Sequence, residues 1–187
     1  MVKVGKHVRF LTIFMTNSAL HTLIWQALEL YSVDLLPQFL TDKNVHVRMG
    51  AARAIQLKGG EPEFELACSM LKSSTRLDRE LGAFILGQLG TPVLPYKKES
   101  VPLLEHLLEA DRAASVRAIA ATALGHLRAR ESIDTLILAA DDSSPDVRSS
   151  VASALIRFPK SSKARACLNR LSRDESPSVR YWAGEAD

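Results

Sequence analysis

Arginine and aspartate recur in this sequence at a fixed offset, so the search for chemistry starts there. Five segments align: VRMGAARAI from Val47, DRELGAFIL from Asp78, VRAIAATAL from Val116, VRSSVASAL from Val147 and VRYWAGEAD from Val179. Their arginines, Arg48, Arg79, Arg117, Arg148 and Arg180, are 31, 38, 31 and 32 residues apart. An aspartate stands six residues before four of them: Asp42, Asp111, Asp142 and Asp174. The second segment has Ser73 at that offset and Asp78 in place of the valine. A guanidinium can hold a carboxylate through two parallel hydrogen bonds, so the pair can stack neighbouring units into a ladder. A turn aspartate can also accept backbone N–H groups at a helix start. A bare row of arginines would instead bind an anion. Because the aspartates travel with the arginines, the ladder is the expected role.

Other reactive side chains fall into no pattern. His7, His21, His46, His106 and His126 make no His-x-x-His or HExxH arrangement, and no GxSxG or phosphate-binding glycine loop occurs. Glu63 and Glu65 lie two residues apart, which puts them on different sides of a helix. Cys68 and Cys167 form no CxxC and read as two buried thiols in a reducing compartment. Nothing in the sequence supports a Cys68–His126 dyad over two core-lining residues. No catalytic residue, metal ligand or cofactor is expected, and the chain does not read as an enzyme.

The elements that carry the ladder are helical. Of the 187 residues 47% are hydrophobic and only 6% aromatic, which suits packed helices. In one unit, Ile133, Leu136, Ile137 and Ala140 form a stripe at steps of three and four. Asp141 to Pro145 break it, with Pro145 suited to the first turn of the next helix. Val147, Val151, Ala154, Leu155 and Phe158 make a second stripe, and Pro159 ends it. The unit is helix, turn, helix. Corresponding first helices are expected at Val33–Leu40, Phe64–Leu71, Val101–Leu108 and Ala164–Leu171. The predicted fold is all-α, a right-handed α-solenoid of about five helix pairs, near 33–59, 61–90, 98–128, 131–159 and 162–187, with residues 1–32 as an N-terminal extension and capping helix.

The termini and one connector depart from the repeat. Leu20, Leu23, Ile24, Ala27, Leu28 and Leu30 form the capping helix, while Met15 before Thr16-Asn17-Ser18 reads as a natural start. The apolar run Phe10–Met15 is too short for a signal peptide, and no stretch reaches the ~18 apolar residues of a membrane span. Gly90–Ser100, GTPVLPYKKES, explains the 38-residue spacing and is expected to be non-helical because of its two prolines. The last repeat stops inside its second helix, as expected of a fragment of a longer protein or of a last helix capped by a partner.

Second helices are expected to line a concave face. Counted from each repeat arginine, positions −1, +3, +6 and +7 point to the core, and +1, +2, +5 and +9 point outward. The outward set names Arg53, Leu81, Phe84, Gln88, Ile119, His126, Arg157, Tyr181 and Trp182 as candidate partner-binding residues, beside Met49, Thr122, Ser149, Ser150, Ser153 and Glu185. Apolar residues next to arginine suit a protein partner. The net charge of +3 and the interspersed Glu80 and Glu185 argue against a nucleic-acid groove, which is the alternative.

The Asp-x-x-x-x-Val-Arg pattern resembles the short bacterial HEAT-like repeats, often called phycobilisome-lyase-type, a label that implies no lyase chemistry. RAIQLKGG from Arg53, RELGAFILGQ from Arg79 and VRYWAGEA from Val179 resemble the enterobacterial YibA-type HEAT-repeat proteins over roughly residues 33–187. Those are encoded beside Rhs toxin genes and are considered candidate immunity proteins. The resemblance implies a cytoplasmic scaffold that binds a toxin domain.

Overall fold

The computed structural model describes residues 22–184. Among these residues all regular structure is helical. The chain divides into two compact units, the first ending at Lys58 and the second starting at Gly59.

The first unit holds helix α1 (22–29), a 3-10 helix at Leu36–Phe39 and α2 (Val45–Lys58). The 3-10 segment is much shorter than the expected Val33–Leu40 helix. Pro37 sits in its first turn and has no N–H to donate, and the segment ends in a turn at Leu40. Leu28 of α1 is buried against α2, where a Cβ on Gly50 would come within 2.9 Å of it.

The second unit contains four helix pairs: α3 (Glu61–Leu71) with α4 (Arg76–Leu86), α5 (Lys97–Ala110) with α6 (Ala114–His126), α7 (Ile133–Ala139) with α8 (Pro145–Leu155), and α9 (Ser162–Leu171) with α10 (Pro177–Gly184). Each starts where local chemistry permits. Thr75 caps α4 by accepting the Asp78 N–H, Ser161 caps α9 by accepting the Ala164 N–H, and Pro145 and Pro177 occupy first turns where no donor is needed. A 3-10 turn at Arg130–Ser132 precedes α7.

The core runs between first and second helices. Positions +3, +6 and +7 of α4, α6 and α8 are buried: Gly82, Ile85, Leu86; Ala120, Ala123, Leu124; Val151, Ala154, Leu155. The small residues let α4, α6, α8 and α10 pack closely side by side, whereas α5, α7 and α9 touch less, so the second helices form the inner row of this unit. Two glycines set the closest approach. A Cβ on Gly87 would lie 2.8 Å from Ala123 Cβ, and one on Gly125 2.8 Å from Ala154 Cα. The repeated stacking of helix pairs makes the chain an α-solenoid.

The connector departs from the sequence-based expectation. Its residues from Lys97 onward are already the first turn of α5, so only residues 90–96 are irregular. Pro102 lies inside α5 and exposed, where the lost N–H bond does not stop the helix. Tyr96 stacks on Phe64 of α3 with ring centroids 4.6 Å apart and fixes the connector to the unit it lengthens.

Candidate protein-binding face and the ladder behind it

The ladder arginines leave the first turns of second helices and bridge adjacent pairs. Arg79 Nε donates to Asp111 Oδ2 at 2.6 Å and its Nη2 to Oδ1 at 3.1 Å. Arg117 holds Asp142 the same way at 2.7 and 2.9 Å, and Arg148 holds Asp174 at 2.8 and 2.9 Å. The third nitrogen points backward. Nη1 of Arg79, Arg117 and Arg148 donates to the backbone carbonyl six residues earlier, at 3.1, 2.8 and 2.9 Å. Each aspartate also accepts the N–H two residues ahead, from Ala113, Ser144 and Ser176, at 2.8 Å in every case. One carboxylate therefore closes the turn of its own pair and ties it to the pair before.

The rungs are shielded. Side-chain exposure is 5–11% for the three aspartates and 9–16% for their arginines. The hydrogen bond from Arg117 holds the Asp142 carboxyl below the ordinary range, and that from Arg148 does the same for Asp174. Burial by itself would raise Asp111, but the hydrogen bonds from Arg79 and the Ala113 N–H keep it low. The fork of each interior arginine is filled by a carboxylate, so these arginines are not open to an external anion.

In the first unit, Arg48 Nη1 donates to the Asp42 carbonyl at 2.6 Å, and Asp42 Oδ1 accepts the Asn44 N–H at 2.7 Å. Ser73, at the aspartate's offset, copies the turn closure with its hydroxyl: it accepts the Thr75 N–H at 3.1 Å and donates to Asp78 Oδ2 at 2.7 Å. The departures at Ser73 and Asp78 thus compensate each other inside the second repeat.

The opposite side of the inner row is the candidate partner face. Position +5 gives Phe84, Thr122 and Ser153, all half-buried, and +9 gives half-buried Gln88 and His126 and exposed Arg157. The Gln88 amide donates to His126 Nδ1 at 3.1 Å, linking α4 to the end of α6. Burial, reinforced by the charge of Arg157, pushes the His126 pKa down. At position +2 the residues diverge. Ile119 and Ser150 are half-buried and Trp182 is 37% exposed, but Leu81 is only 4% exposed. Leu81 belongs to the core, which corrects its outward placement. Position +2 sits about 85° from the centre of the buried stripe at 100° per residue, so a neighbouring side chain covers it. Ser149, at +1, is likewise buried and shares a hydrogen bond with Ser178 of α10 at 3.0 Å.

Tyr181 is 63% exposed and meets Trp182 edge-to-face at 5.4 Å. Arg53 lies on α2 in the first unit, half-buried, with Nη1 donating to Gln56 Oε1 at 3.4 Å. Glu185 falls outside the described residues. The second unit thus brings Phe84, Ile119, Gln88, His126 and Arg157 onto one row of helices.

Sequence reasoning missed a cavity of about 710 Å³ between α3 and α5, lined by Phe64, Cys68, Leu71, Leu103, His106 and Leu107 among others. The long 38-residue spacing, which places the connector between these two pairs, was its one signal in the sequence. Burial raises the Cys68 thiol above its usual pKa, so it is not an activated nucleophile. Among the described residues no group of three His, Cys, Asp or Glu side chains could hold a metal, and no helix is long and apolar enough to cross a membrane.

With this geometry the sequence matches the HEAT-repeat family over residues 64–156 and 100–186, more than half of the chain. The chain belongs to that family. Among relatives it is similar to Protein YibA of Escherichia coli K12, 28% identical over 160 residues, and to the same protein of E. coli O157:H7 at the same identity. That match covers 82% of this chain and 56% of YibA, so the chain spans little more than half the length of these relatives. The X-ray structure of E. coli YibA superposes with a TM-score of 0.77 at 24% identity, over 100% of this chain and 63% of that one. An armadillo repeat protein computationally designed for modular peptide recognition superposes with a TM-score of 0.54 at 15% identity, covering 91% of each chain.

Proposed function

We propose that this chain is a protein-binding scaffold whose partner docks on the inner row of second helices, and that it acts without catalysis. The observation that carries the reading is the composition of that row. Phe84 and Ile119 remain half-buried on the same row of second helices that ends in exposed Arg157, and among the described residues no ion pair engages Arg157 as the ladder engages Arg117 and Arg148. Apolar anchors beside an available guanidinium are what a protein interface uses most. The shared fold of an armadillo protein designed for peptide recognition supports a protein partner. Trp182 and Tyr181 extend it along α10, and Arg53 is the corresponding candidate in the first unit.

The resemblance to YibA-type proteins supports a finer version: an immunity-type inhibitor, working in the cytoplasm, that covers a cognate toxin domain. The test is co-expression with the polymorphic toxin domain encoded next to the gene, read by co-purification and by rescue of growth. Binding is expected, with Phe84→Ala and Arg157→Glu each weakening it by roughly tenfold or more. Absence of binding and rescue, with helicity intact by circular dichroism, would sink the immunity reading. Binding that both substitutions leave unchanged would move the interface elsewhere.

A further inference from the structure

Charge is sorted between the two edges of the second unit. Each helix pair folds back on itself, so the turns within pairs lie at one edge and the loops between pairs at the other. Acidic and basic residues nearly balance across the unit. At the turn edge they neutralise each other, because the ladder joins Arg79, Arg117 and Arg148 to Asp111, Asp142 and Asp174. The loop edge is different. Residues 87–96 carry no charged side chain, and in 127–132 and 156–161 Glu131 is the only acid against Arg128, Arg130, Arg157 and Lys160. These four cations are exposed, as is Lys98 in the first turn of α5, and among the described residues none of the five forms an ion pair. Contacts between the loops hold the cations in one strip. Lys97 Nζ donates to the Arg128 carbonyl at 3.2 Å and ties α5 to the next loop. Arg157 reaches back over the end of α6, where a Cβ on Gly125 would meet its Cδ at 3.4 Å and where its charge helps to lower the His126 pKa. Arg130 and Lys160, from consecutive loops, share a hollow of about 140 Å³ with Ile133, Phe158 and Ser161, which leaves room for one side chain between two cations.

Resting on the protein-binding reading, we propose that the partner presents an acidic segment of polypeptide to this loop edge, with one carboxylate side chain entering the hollow between Arg130 and Lys160 and another meeting Arg157. Charge complementarity selects the occupant. The strip is uncompensated inside its own unit, and guanidinium with carboxylate is among the stronger charge-assisted pairings. Position supports a protein. Arg157 ends the row that carries half-buried Phe84 and Ile119, so a segment along the edge adjoins the apolar part of the same face. Apolar contacts bordered by charges are the ordinary make-up of a protein interface. A nucleic acid fits less well. Glu131 stands among the cations, and a unit whose charges nearly balance offers little long-range attraction to a polyanion. A short acidic segment needs only the local match.

The test is fluorescence anisotropy of a short labelled peptide of aspartate, glutamate and leucine, titrated with the full chain. Binding is expected at low salt and should weaken as salt rises. The same peptide with asparagine and glutamine for its acids should not bind. Arg157→Glu, and separately Arg130→Glu with Lys160→Glu, should each weaken binding by roughly tenfold or more. Arg173→Glu makes the same change of charge as Arg157→Glu at the turn edge and should leave binding unchanged. Circular dichroism melts of every variant guard against misfolding. No binding of the acidic peptide would overturn the proposal, as would an equal loss from Arg173→Glu, which would mean a diffuse charge effect. A single-stranded DNA of equal charge that binds more tightly than the peptide, and is lost with the same substitutions, would assign the edge to nucleic acid instead. The protein-binding reading fails separately. A co-purifying partner that Phe84→Ala weakens and the Arg130→Glu, Lys160→Glu variant does not would keep that reading and overturn this one.

Discussion

A single carboxylate in this protein does two jobs, and its removal should show both. Asp142 closes the α7–α8 turn through the Ser144 N–H and neutralises Arg117, which is 16% exposed. Asp142→Ala leaves a shielded guanidinium without its counter-charge and is expected to cost about 3 kcal/mol, measured as a shift in urea unfolding. The same rungs fix the response to acid. Asp111, Asp142 and Asp174 have pKa values lowered in the folded state, so between those values and the unfolded value of about 3.9 the unfolded chain binds more protons. Their contribution is complete above that unfolded value and is lost as pH falls through the folded ones. Urea midpoints followed from pH 7 into this acidic window should drop, and Asp174→Asn should flatten the drop. The offset of six residues made these partners legible in the sequence. The expected ladder between units forms at Arg79, Arg117 and Arg148, and the sequence did not show that Nη1 of each would also take the carbonyl six residues earlier.

Helix pairs pack through small residues, and the tightest points are glycines. Gly125 lies against the backbone of Ala154, 2.8 Å from where its Cβ would be. Gly125→Ala forces α6 and α8 apart at their C-terminal ends and is expected to destabilise by about 1–3 kcal/mol in thermal or urea unfolding. At this scale the sequence located helices well where an apolar stripe met a capping residue or proline, as at Pro145. It misjudged elements at prolines that lie in first turns or on exposed faces. Pro37 sits in a short 3-10 turn where a helix was expected, and Pro102 sits inside α5, which begins at Lys97. Proline removes one donor wherever it falls, and only tertiary packing decides whether the remaining bonds hold the helix.

The molecule divides at Lys58–Gly59, and the second unit carries four helix pairs and the three interior rungs. A chain beginning at Gly59 is therefore expected to fold by itself and to melt in one cooperative transition by circular dichroism, because its pairs are coupled through shared rungs and a continuous core. A gradual, non-cooperative melt would show that its stability depends on residues 22–58. The candidate partner face also belongs to this scale, since Phe84, Ile119 and Arg157 come from three different pairs and share one row only through stacking.

The sequence by itself determined the repeat, its helix–turn–helix unit, the six residues of the three interior rungs and the buried positions at +3, +6 and +7 of α4, α6 and α8. These follow from periodicity and fixed offsets, which are local properties of a chain. Only the tertiary structure decided which side chains at the edge of a stripe are covered, why Leu81 is core while Ile119 stays half-open, and where a cavity forms beside the Tyr96 connector. Those outcomes depend on how near a neighbouring helix comes, and that distance is set by pairs of residues far apart in sequence, such as Gly87 with Ala123 and Gly125 with Ala154.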